Sequence, residues 1–251
     1  MFNRFSIVIP SFNDTRILDA IDSINKQNFP RENIEIIIQD GGSKDNVLEE
    51  IKQSLQPHDR LIVEKDRGIF DGINKGICNA SNELILTIGS DDRIHADDSI
   101  RNINELFNNN AIDYVCATIN YTDESWTAKR KWEGTIPSFF NFCLGRQTAH
   151  FGFFCKKDLY EKIGLFNLSR PVSADFDFFL RVSKSGLKGM TSNEVAVDMK
   201  LGGNSSKNIT NILNGNYEIF LSGLKNRGLF ILLHFIFKPF WKVREHILAG
   251  K

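Results

Sequence analysis

The chain has few cysteines and no surplus of charge of either sign. Its 251 residues include four cysteines, and Lys plus Arg equal Asp plus Glu at 31 each. The cysteines form no Cys-x-x-Cys pair and have no histidine at metal-ligand spacing, so we expect free thiols at Cys78, Cys116, Cys143 and Cys155. A balanced charge offers no general attraction to nucleic acid, which disfavours a nucleic-acid partner.

Two glycine-rich nucleotide-binding motifs are also absent. No G-x-G-x-x-G follows the first predicted strand, and the chain contains no G-x-x-x-x-G-K-[ST] loop. A dinucleotide-binding fold for NAD is therefore not supported. A nucleotide would have to be held mainly by side-chain acceptors and a cation.

No apolar run is long enough to span a bilayer. The most apolar segment, residues 229–237, is about half of the roughly 20 residues required. Basic residues and Trp241 flank it, which is typical of a helix at a membrane interface; packing on the domain or on a second copy of the chain, as a homodimer, is the alternative. The N-terminus begins with a strand-like segment and no basic, apolar leader, so we expect a cytoplasmic protein associated peripherally with the inner face of the cell membrane.

Short apolar runs alternate with helical patterns. We predict strands at residues 5–9, 34–39, 61–64, 84–88 and 114–118. An i, i+3, i+4, i+7 spacing predicts helices around residues 17–24 and 73–80. This alternation predicts an α/β fold with a mixed, mostly parallel sheet flanked by helices.

The pattern is weaker after residue 145. We expect an extended segment at 150–155, helices at 157–163 and 175–185, and a late strand at 195–200. The composition changes after the Gly-Gly-Asn-Ser-Ser segment at 202–206. We therefore predict an α/β domain at residues 1–206 and a C-terminal helical, amphipathic segment at 207–251.

Polar residues follow each of the first three strands, in segments 10–14, 40–45 and 64–68. The carboxyl ends of parallel strands meet at one edge of a sheet, so these segments should form a ligand site. Asp40 is a candidate acceptor for a base N–H or a ribose hydroxyl, and the glycines beside it let backbone N–H groups approach a ligand. Asp-Gly-Gly-Ser is also an ordinary turn, and that alternative stays open.

Two adjacent aspartates, Asp91 and Asp92, follow the apolar run 84–88 after Gly89 and Ser90. Carboxylates this close repel each other unless a proton or a cation lies between them. Carboxylate oxygens suit a hard divalent cation, so the pair predicts a metal-assisted enzyme that uses Mn²⁺ or Mg²⁺.

Five segments together resemble the inverting glycosyltransferases of family 2, which have the GT-A fold. They are 7–13 (Ile-Val-Ile-Pro-Ser-Phe-Asn), 38–45 (Ile-Gln-Asp-Gly-Gly-Ser-Lys-Asp), 64–76, 89–92 (Gly-Ser-Asp-Asp) and 173–181. They fall in family order and are most similar to enzymes that build bacterial surface polysaccharides of the colanic-acid or O-antigen type. The resemblance implies transfer of a sugar from a UDP-sugar donor to a hydroxyl of a lipid-linked glycan acceptor.

The resemblance also assigns roles. For the nucleotide, it implies that Pro10 and Ser11 border it and that Asp40 binds uracil. Asp66 and Arg67 would lie by the base and the ribose. For the metal, it implies that Asp92 is the direct ligand and that Asp91 contacts either the ribose or the metal. Many relatives carry a further aspartate where this chain has Gly89, so a cation would have fewer protein ligands here.

The catalytic base implied by the resemblance is Asp175, which matches the aspartate of a Glu-Asp pair in the family. Ala174 replaces the glutamate, which leaves Asp177 as an alternative, and Asp175 could also simply cap a helix. His150 is expected either in the sugar or acceptor pocket or in the core, and Asp177 is a second candidate for that pocket. Trp126 and Trp132 flank a charged stretch that forms a hairpin over the acceptor or is pinned to the core.

Two other functions remain as alternatives. A catalytically inactive nucleotide-binding scaffold of a membrane polysaccharide-assembly complex would explain Ala174 and Gly89. A nucleotidyltransferase would use the same cation chemistry, but the missing glycine-rich, lysine-bearing loop disfavours it.

Overall fold

The computed structural model describes residues 1–202 and 209–249. In these ranges nine strands form one sheet in the order β3-β2-β1-β4-β8-β6-β9-β5, with β7 paired to β6. The strands are β1 Phe5–Ser11, β2 Ile34–Asp40, β3 Arg60–Val63, β4 Leu84–Thr87, β5 Arg93–Ile94, β6 Tyr114–Thr122, β7 Ala128–Trp132, β8 Phe153–Lys156 and β9 Gly189–Lys200.

Helices cover the sheet and form the C-terminal segment. They are α1 Ile17–Asn25, α2 Asp45–Ser54, α3 Ile69–Asn79, α4 Ser99–Asn109, α5 Phe139–Cys143, α6 Asp158–Ile163, α7 Ala174–Val182, α8 Ile209–Arg227 and α9 Ile231–Ala249. Short 3₁₀ turns occupy Arg31–Asn33, His150–Gly152 and Gly228–Phe230.

The first four strands form the parallel part of the sheet that the apolar runs predict. β1 lies between β2 and β4, and its register runs from Phe5 opposite Ile34 to Ser11 opposite Asp40. Every residue of β1 and β2 is buried, because helices cover both faces of these strands. Their carboxyl ends consequently lie side by side.

The second half of the sheet is mixed. β8 is inserted antiparallel between β4 and β6, and the hairpin partner β7 and the short strand β5 also pair antiparallel. β9 pairs parallel with β6 over a longer range than the predicted late strand. The strict strand-helix alternation ends after β6, and short connections allow antiparallel pairing that the apolar pattern does not reveal.

The described part of the C-terminal segment packs on the α/β domain. Ile219 of α8 and Ile231 of α9 belong to the same core cluster as Phe176 of α7. His234 is fully buried, and its Nδ1 lies 2.9 Å from the carbonyl oxygen of Phe142, to which it donates. The predicted boundary at residues 206 and 207 lies outside the described residues.

The helices of the described ranges give no membrane span. None of them combines the length and the apolar character that crossing a bilayer requires. The four cysteines are free thiols, as their spacing predicts.

Candidate active site

The segments after β1, β2 and β3 meet at one edge of the sheet. The backbone nitrogen of Gly41 donates to the carbonyl of Ser11 over 2.8 Å, and that of Glu64 donates to the carbonyl of Asp40 over 2.9 Å. The carboxylate of Asp66 lies against Gly41, where an added Cβ would be 2.7 Å from Asp66 Oδ2. Gly41 therefore has to lack a side chain for the third segment to approach the second.

Asp40 is fully buried and holds the turn that follows β2. Its carboxylate accepts hydrogen bonds from the backbone nitrogens of Gly42 (2.9 Å) and Ser43 (2.6 Å) and from the Ser43 hydroxyl (2.6 Å). The turn alternative is thus realised, and contact between Asp40 and a base stays a prediction.

Unpartnered polar groups lie beside this turn. In the described residues, the Ser11 hydroxyl and both polar atoms of the Gln39 side chain are buried without a hydrogen-bond partner. Pro10, which precedes Ser11, contacts the start of α3 near Gly72. Sequence reasoning missed Gln39, although a fully buried amide in an otherwise apolar strand is a signal for a polar ligand nearby.

Arg67 stands at the outer side of the same edge. Its backbone nitrogen and Nε donate to Asp71 over 3.0 and 3.2 Å, and these bonds lower the pKa of the Asp71 carboxyl. The Arg67 side chain is 77 % exposed, so it remains accessible to a ligand at the cleft. Asp71 was not predicted as a partner of this arginine.

Asp91 and Asp92 point their carboxylates at one position. A Cβ added to Gly89 would lie 2.6 Å from Asp92 Oδ2 and 3.1 Å from Asp91 Oδ1. Asp92 is buried; its Oδ2 accepts from the nitrogen of Gly89 (3.0 Å) and its Oδ1 from the nitrogen of Lys200 (3.2 Å). Gly89 thus leaves free the space that two carboxylates flank.

The repulsion between these carboxylates is visible in their electrostatics. Burial, and next the charge of Asp91, raise the pKa of Asp92 to about 8. Asp91 Oδ2 lies 3.3 Å from Nη1 of Arg16, whose Nε and Nη2 donate to Asp14 over 2.8 and 2.9 Å. A proton on Asp92 and the guanidinium of Arg16 therefore offset the negative charge. Sequence reasoning missed Arg16.

The donor set fits a hard divalent cation with few protein ligands. In the described part of the chain no three His, Cys, Asp or Glu side chains form a metal cluster. Asp91 and Asp92 supply two carboxylates, and Mg²⁺ commonly binds one or two carboxylates together with phosphate oxygens and water. The pair therefore suits a cation that arrives with a diphosphate.

The hairpin of β6 and β7 brings an aromatic ring to this side. The ring of Trp126, at φ +62°, lies between the Arg93 guanidinium (4.2 Å) and Lys200 Nζ (4.6 Å). Trp132 is instead pinned, because its Nε1 donates to the carbonyl of Gln147 over 2.8 Å. The stretch between the two tryptophans thus forms a hairpin. Trp126 lies beside two cations and Trp132 is held against the loop at Gln147, while a position of the hairpin over the acceptor stays a prediction.

Asp175 lies in the first turn of α7. Its Oδ1 accepts from the nitrogen of Phe176 over 2.8 Å, while 20 % of its side chain stays exposed. Burial raises its pKa to about 6, against the opposing effect of the positive charge of Lys238. Asp175 therefore helps to cap the helix and is also ionised near neutral pH.

His150 is next to Asp175 but is not ion-paired with it. Its Nδ1 lies 3.9 Å from Asp175 Oδ2, beyond hydrogen-bond distance, and burial lowers its pKa to about 3. The neutral ring contacts Phe70 and Phe151, and its Nε2 has no partner in the described residues. His150 thus borders the same space as Asp175.

Asp177 is engaged elsewhere. Its Oδ2 accepts from Nε of Arg181 over 3.1 Å, and the same guanidinium donates to the carbonyls of Gly164 and Leu165. This network engages the Asp177 carboxylate and holds the loop before α7.

The start of α7 is fixed from α8. One oxygen of Glu218 accepts from the nitrogens of Val172 (3.1 Å) and Ser173 (2.8 Å) and from the Ser173 hydroxyl (3.0 Å). Glu218 thereby takes the place of an N-cap side chain, which Ser173 does not provide.

Tyr121 of β6 lies between other charged and aromatic groups of the hairpin. Burial raises the pKa of its hydroxyl, the Arg130 guanidinium lowers it, and the carboxylates of Glu245, Asp92 and Asp175 raise it. Tyr121 stacks on Trp132, with ring centroids 6.0 Å apart, and the Arg130 guanidinium lies 3.9 Å from the Tyr121 ring.

A mixed α/β sheet with these carboxylates at its edge defines a glycosyltransferase of the GT-A fold. Residues 6–163 match the family described as Glycosyl transferase family 2, and the chain belongs to that family.

Two curated relatives carry the names of sugar transferases. A "PGL/p-HBAD biosynthesis glycosyltransferase" of Mycobacterium bovis is 29 % identical over 183 residues, which cover 70 % of this chain and 68 % of the relative. A "dolichyl N-acetyl-alpha-D-glucosaminyl phosphate 3-beta-D-2,3-diacetamido-2,3-dideoxy-beta-D-glucuronosyltransferase" of Methanococcus voltae is 26 % identical over 214 residues, covering 77 % of this chain and 65 % of the relative.

Solved structures share the fold at low identity. A mannosyltransferase from Pyrobaculum calidifontis in complex with GDP-Man and Mn²⁺ has a TM-score of 0.68 at 16 % identity, covering 99 % of this chain and 74 % of the other. Residues 1–349 of S. aureus TarS with UDP-GlcNAc give a TM-score of 0.65 at 15 % identity, covering 88 % of this chain and 73 % of the other. In a longer structure of S. aureus TarS, the match covers 89 % of this chain and 40 % of the TarS chain.

Proposed function

We propose that this glycosyltransferase is metal-dependent and inverting, and that it moves a sugar from a UDP-sugar to a hydroxyl of a lipid-linked glycan in bacterial polysaccharide or O-antigen biosynthesis. The observation that carries the proposal is the pair of carboxylates, Asp91 and Asp92, which flank the space that Gly89 leaves free just after strand β4. Solved structures of the fold that hold UDP-GlcNAc, or GDP-Man with Mn²⁺, support a nucleotide-sugar donor.

Asp92 and Asp91 would hold Mn²⁺ or Mg²⁺ together with the donor diphosphate. The cation neutralises charge that develops on the leaving diphosphate. Binding requires Asp92 to lose the proton that its raised pKa retains near neutral pH. Arg16 would remain beside Asp91 and orient that carboxylate.

The nucleotide would lie at the ends of β1, β2 and β3. Pro10, Ser11 and Asp40 would border that space, and Asp66 and Arg67 would close its outer side; the contacts that hold these segments together support this. The unpartnered Ser11 hydroxyl and Gln39 amide offer hydrogen bonds to it.

Asp175 would accept the proton of the attacking hydroxyl. Its pKa of about 6 keeps it ionised at neutral pH, and 20 % of its side chain is exposed. The hydroxyl oxygen bonds to the anomeric carbon as the bond to the UDP oxygen breaks, so a single displacement inverts the configuration. His150 borders this space as a neutral side chain.

The C-terminal helices would associate with the membrane surface. α9 leaves large apolar side chains exposed, including Phe240 at 69 %, Val243 at 61 % and Ile247 at 60 %. Apolar residues combined with lysine and arginine suit an anionic lipid surface. A homodimer through this face is the competing outcome, which light scattering of the full chain distinguishes.

The deciding experiment is a donor screen followed by product analysis. The protein is mixed with UDP-sugars, with and without Mn²⁺, and stabilisation is followed by thermal shift. Transfer to a lipid-linked acceptor is then measured, and the anomeric configuration of the product is read by NMR. A product with retained configuration, or full transfer in the presence of EDTA, would contradict the proposal.

A further inference from the structure

A second cleft lies on the Asp175 side of the site, between the β6-β7 hairpin, the loop at residues 145–147 and α9. It is a small, partly open cleft with a cavity volume of about 60 Å³. Its lining consists of Arg130, Trp132, Glu133, Thr135, Gly145, Arg146, Gln147, Lys238, Trp241, Lys242, Arg244 and Glu245. Helix α9, predicted from sequence to contact either a membrane surface or protein, thus forms one wall.

The cleft carries unbalanced positive charge. Two of its arginines are neutralised, since Arg130 pairs with Glu245 at 3.1 Å and Arg244 with Glu133 at 2.7 Å. The remaining three cations have no carboxylate within 4 Å among the residues that the structure describes; they are Arg146, Lys238 and Lys242. Charge of one sign gathered in a concave site attracts an anionic ligand.

The walls hold these groups in place. Nη2 of Arg146 donates to the Thr135 hydroxyl over 3.4 Å, and its guanidinium lies 4.5 Å from the ring of Trp241. Trp241 is itself fixed, because its Nε1 donates to the carbonyl of Leu144 over 2.6 Å. An added Cβ at Gly145 would lie 2.3 Å from the backbone nitrogen of Lys238, so α9 touches the loop directly.

The cleft is distinct from the Asp91 and Asp92 pair. Lys238 interacts electrostatically with Asp175, the proposed base, and not with the carboxylate pair. A group bound here would therefore be on the acceptor side of the reaction. Phe240 and Val243 are exposed on α9, immediately before and after the cleft residues Trp241 and Lys242 in the chain. A ligand with its anion in the cleft would therefore have apolar side chains of the same helix within reach of a hydrocarbon chain.

We propose that this cleft binds the phosphate group of a lipid-phosphate-linked acceptor through Arg146, Lys238 and Lys242, with the lipid chain along the exposed face of α9. The inference rests on the proposed function and names the part of the acceptor that the enzyme recognises. Arginine and lysine are the usual partners of phosphate oxygens, and three of them exceed what a neutral glycan requires.

Binding of inorganic phosphate and of hexyl phosphate tests the proposal. The full chain is first saturated with UDP and Mn²⁺, so that the donor side is filled, and each probe is then titrated by ³¹P NMR. Hexyl phosphate should bind about fivefold tighter or more, since its chain buries apolar surface. Arg146→Gln and Lys242→Gln should each weaken both probes about tenfold, whereas Lys52→Gln on α2 should not.

Arg146→Lys, which keeps the charge, should retain most of the binding and shows that the loop still folds. Three results would each overturn the proposal. The first is that phosphate does not bind, and the second is that the two probes bind with equal affinity. The third is that Arg146→Gln and Lys242→Gln leave the binding unchanged. Saturation with UDP and Mn²⁺ is measured first, so a failure at that step counts against the proposed function and not against the cleft.

Discussion

Oδ1 of Asp92 accepts a hydrogen bond from the backbone nitrogen of Lys200 over 3.2 Å, although 108 residues separate the two in the chain. The bond attaches the loop after β4 to the end of β9. It fixes one carboxylate oxygen, and the second is held by Gly89. Asp92 is thus positioned before any ligand arrives, which lowers the entropic cost of binding a cation.

Asp92→Asn should abolish metal-linked binding of UDP. The amide keeps the shape of the side chain but cannot supply an anionic oxygen. In wild type, UDP at 100 times its Kd should stabilise the fold by about 2.7 kcal/mol when Mn²⁺ is present. Thermal shift measures the loss, and Asp97→Asn, an exposed carboxylate, is the matched control. Equal Mn²⁺-dependent shifts in both variants would refute the role of Asp92.

Asp175→Asn should reduce kcat by about 10²–10⁴-fold, the usual contribution of a general base. Binding of UDP with Mn²⁺ should persist, because the side chain is on the acceptor side. Circular dichroism checks that the fold is retained. Asp177→Asn, which alters the ion pair with Arg181, should lower thermal stability more than turnover per folded molecule. A large loss of kcat in Asp177→Asn, with turnover retained in Asp175→Asn, would instead identify Asp177 as the base.

The pH profile should have an acid limb set by Asp175. The base acts when ionised, so with its pKa near 6, kcat should fall about tenfold for each pH unit below that value. Saturating Mn²⁺ is required, because it displaces the proton from Asp92. Lys238 lowers the pKa of Asp175, so Lys238→Met should shift the limb to higher pH. An acid limb that stays at the same pH in Lys238→Met would contradict the electrostatic effect of Lys238 on Asp175.

Glu218→Ala should destabilise the start of α7. It leaves two backbone nitrogens and a hydroxyl without their acceptor, at a cost of about 1–3 kcal/mol for buried donors. For a chain of this size the melting temperature should fall by roughly 2–4 °C per kcal/mol. Glu218→Gln retains an acceptor oxygen, so its melting temperature should lie between those of wild type and Glu218→Ala. An unchanged melting temperature for the alanine variant would show that water replaces the carboxylate.

Phe240→Glu and Val243→Glu should weaken binding to anionic lipid vesicles. Each substitution places a negative charge on the exposed apolar face of α9, where it is repelled by the lipid. Co-sedimentation measures the effect, with Val63→Glu on the edge strand β3 as the control. If the vesicles bind all three variants equally and wild type is dimeric, the face is an interface between copies.

The parallel half of the sheet could be predicted because its strands are nearly continuous apolar runs, and the edge they share follows from topology. The segments that carry Asp40, Asp66 and Asp91 were found for the same reason. Arg16 and Lys200 could not be found this way, since they lie at the ends of α1 and β9, and periodicity does not show that these ends meet the carboxylates. Tertiary packing alone brings them together.

The C-terminal segment shows the same limit. Its apolar run predicted contact with lipid or protein, but periodicity does not reveal that His234 would be buried or that Lys238 would lie near Asp175. Both depend on the close approach of α9 to Gly145.

The three bonds that converge on Glu218 limit how the protein can be shortened. A version that stops at residue 202 to improve its solubility would lose the acceptor for the residues just before Asp175, together with the wall that Lys238 and Trp241 supply. Such a fragment could still take up a nucleotide at the first three strands, and it would be misjudged as an inactive homologue.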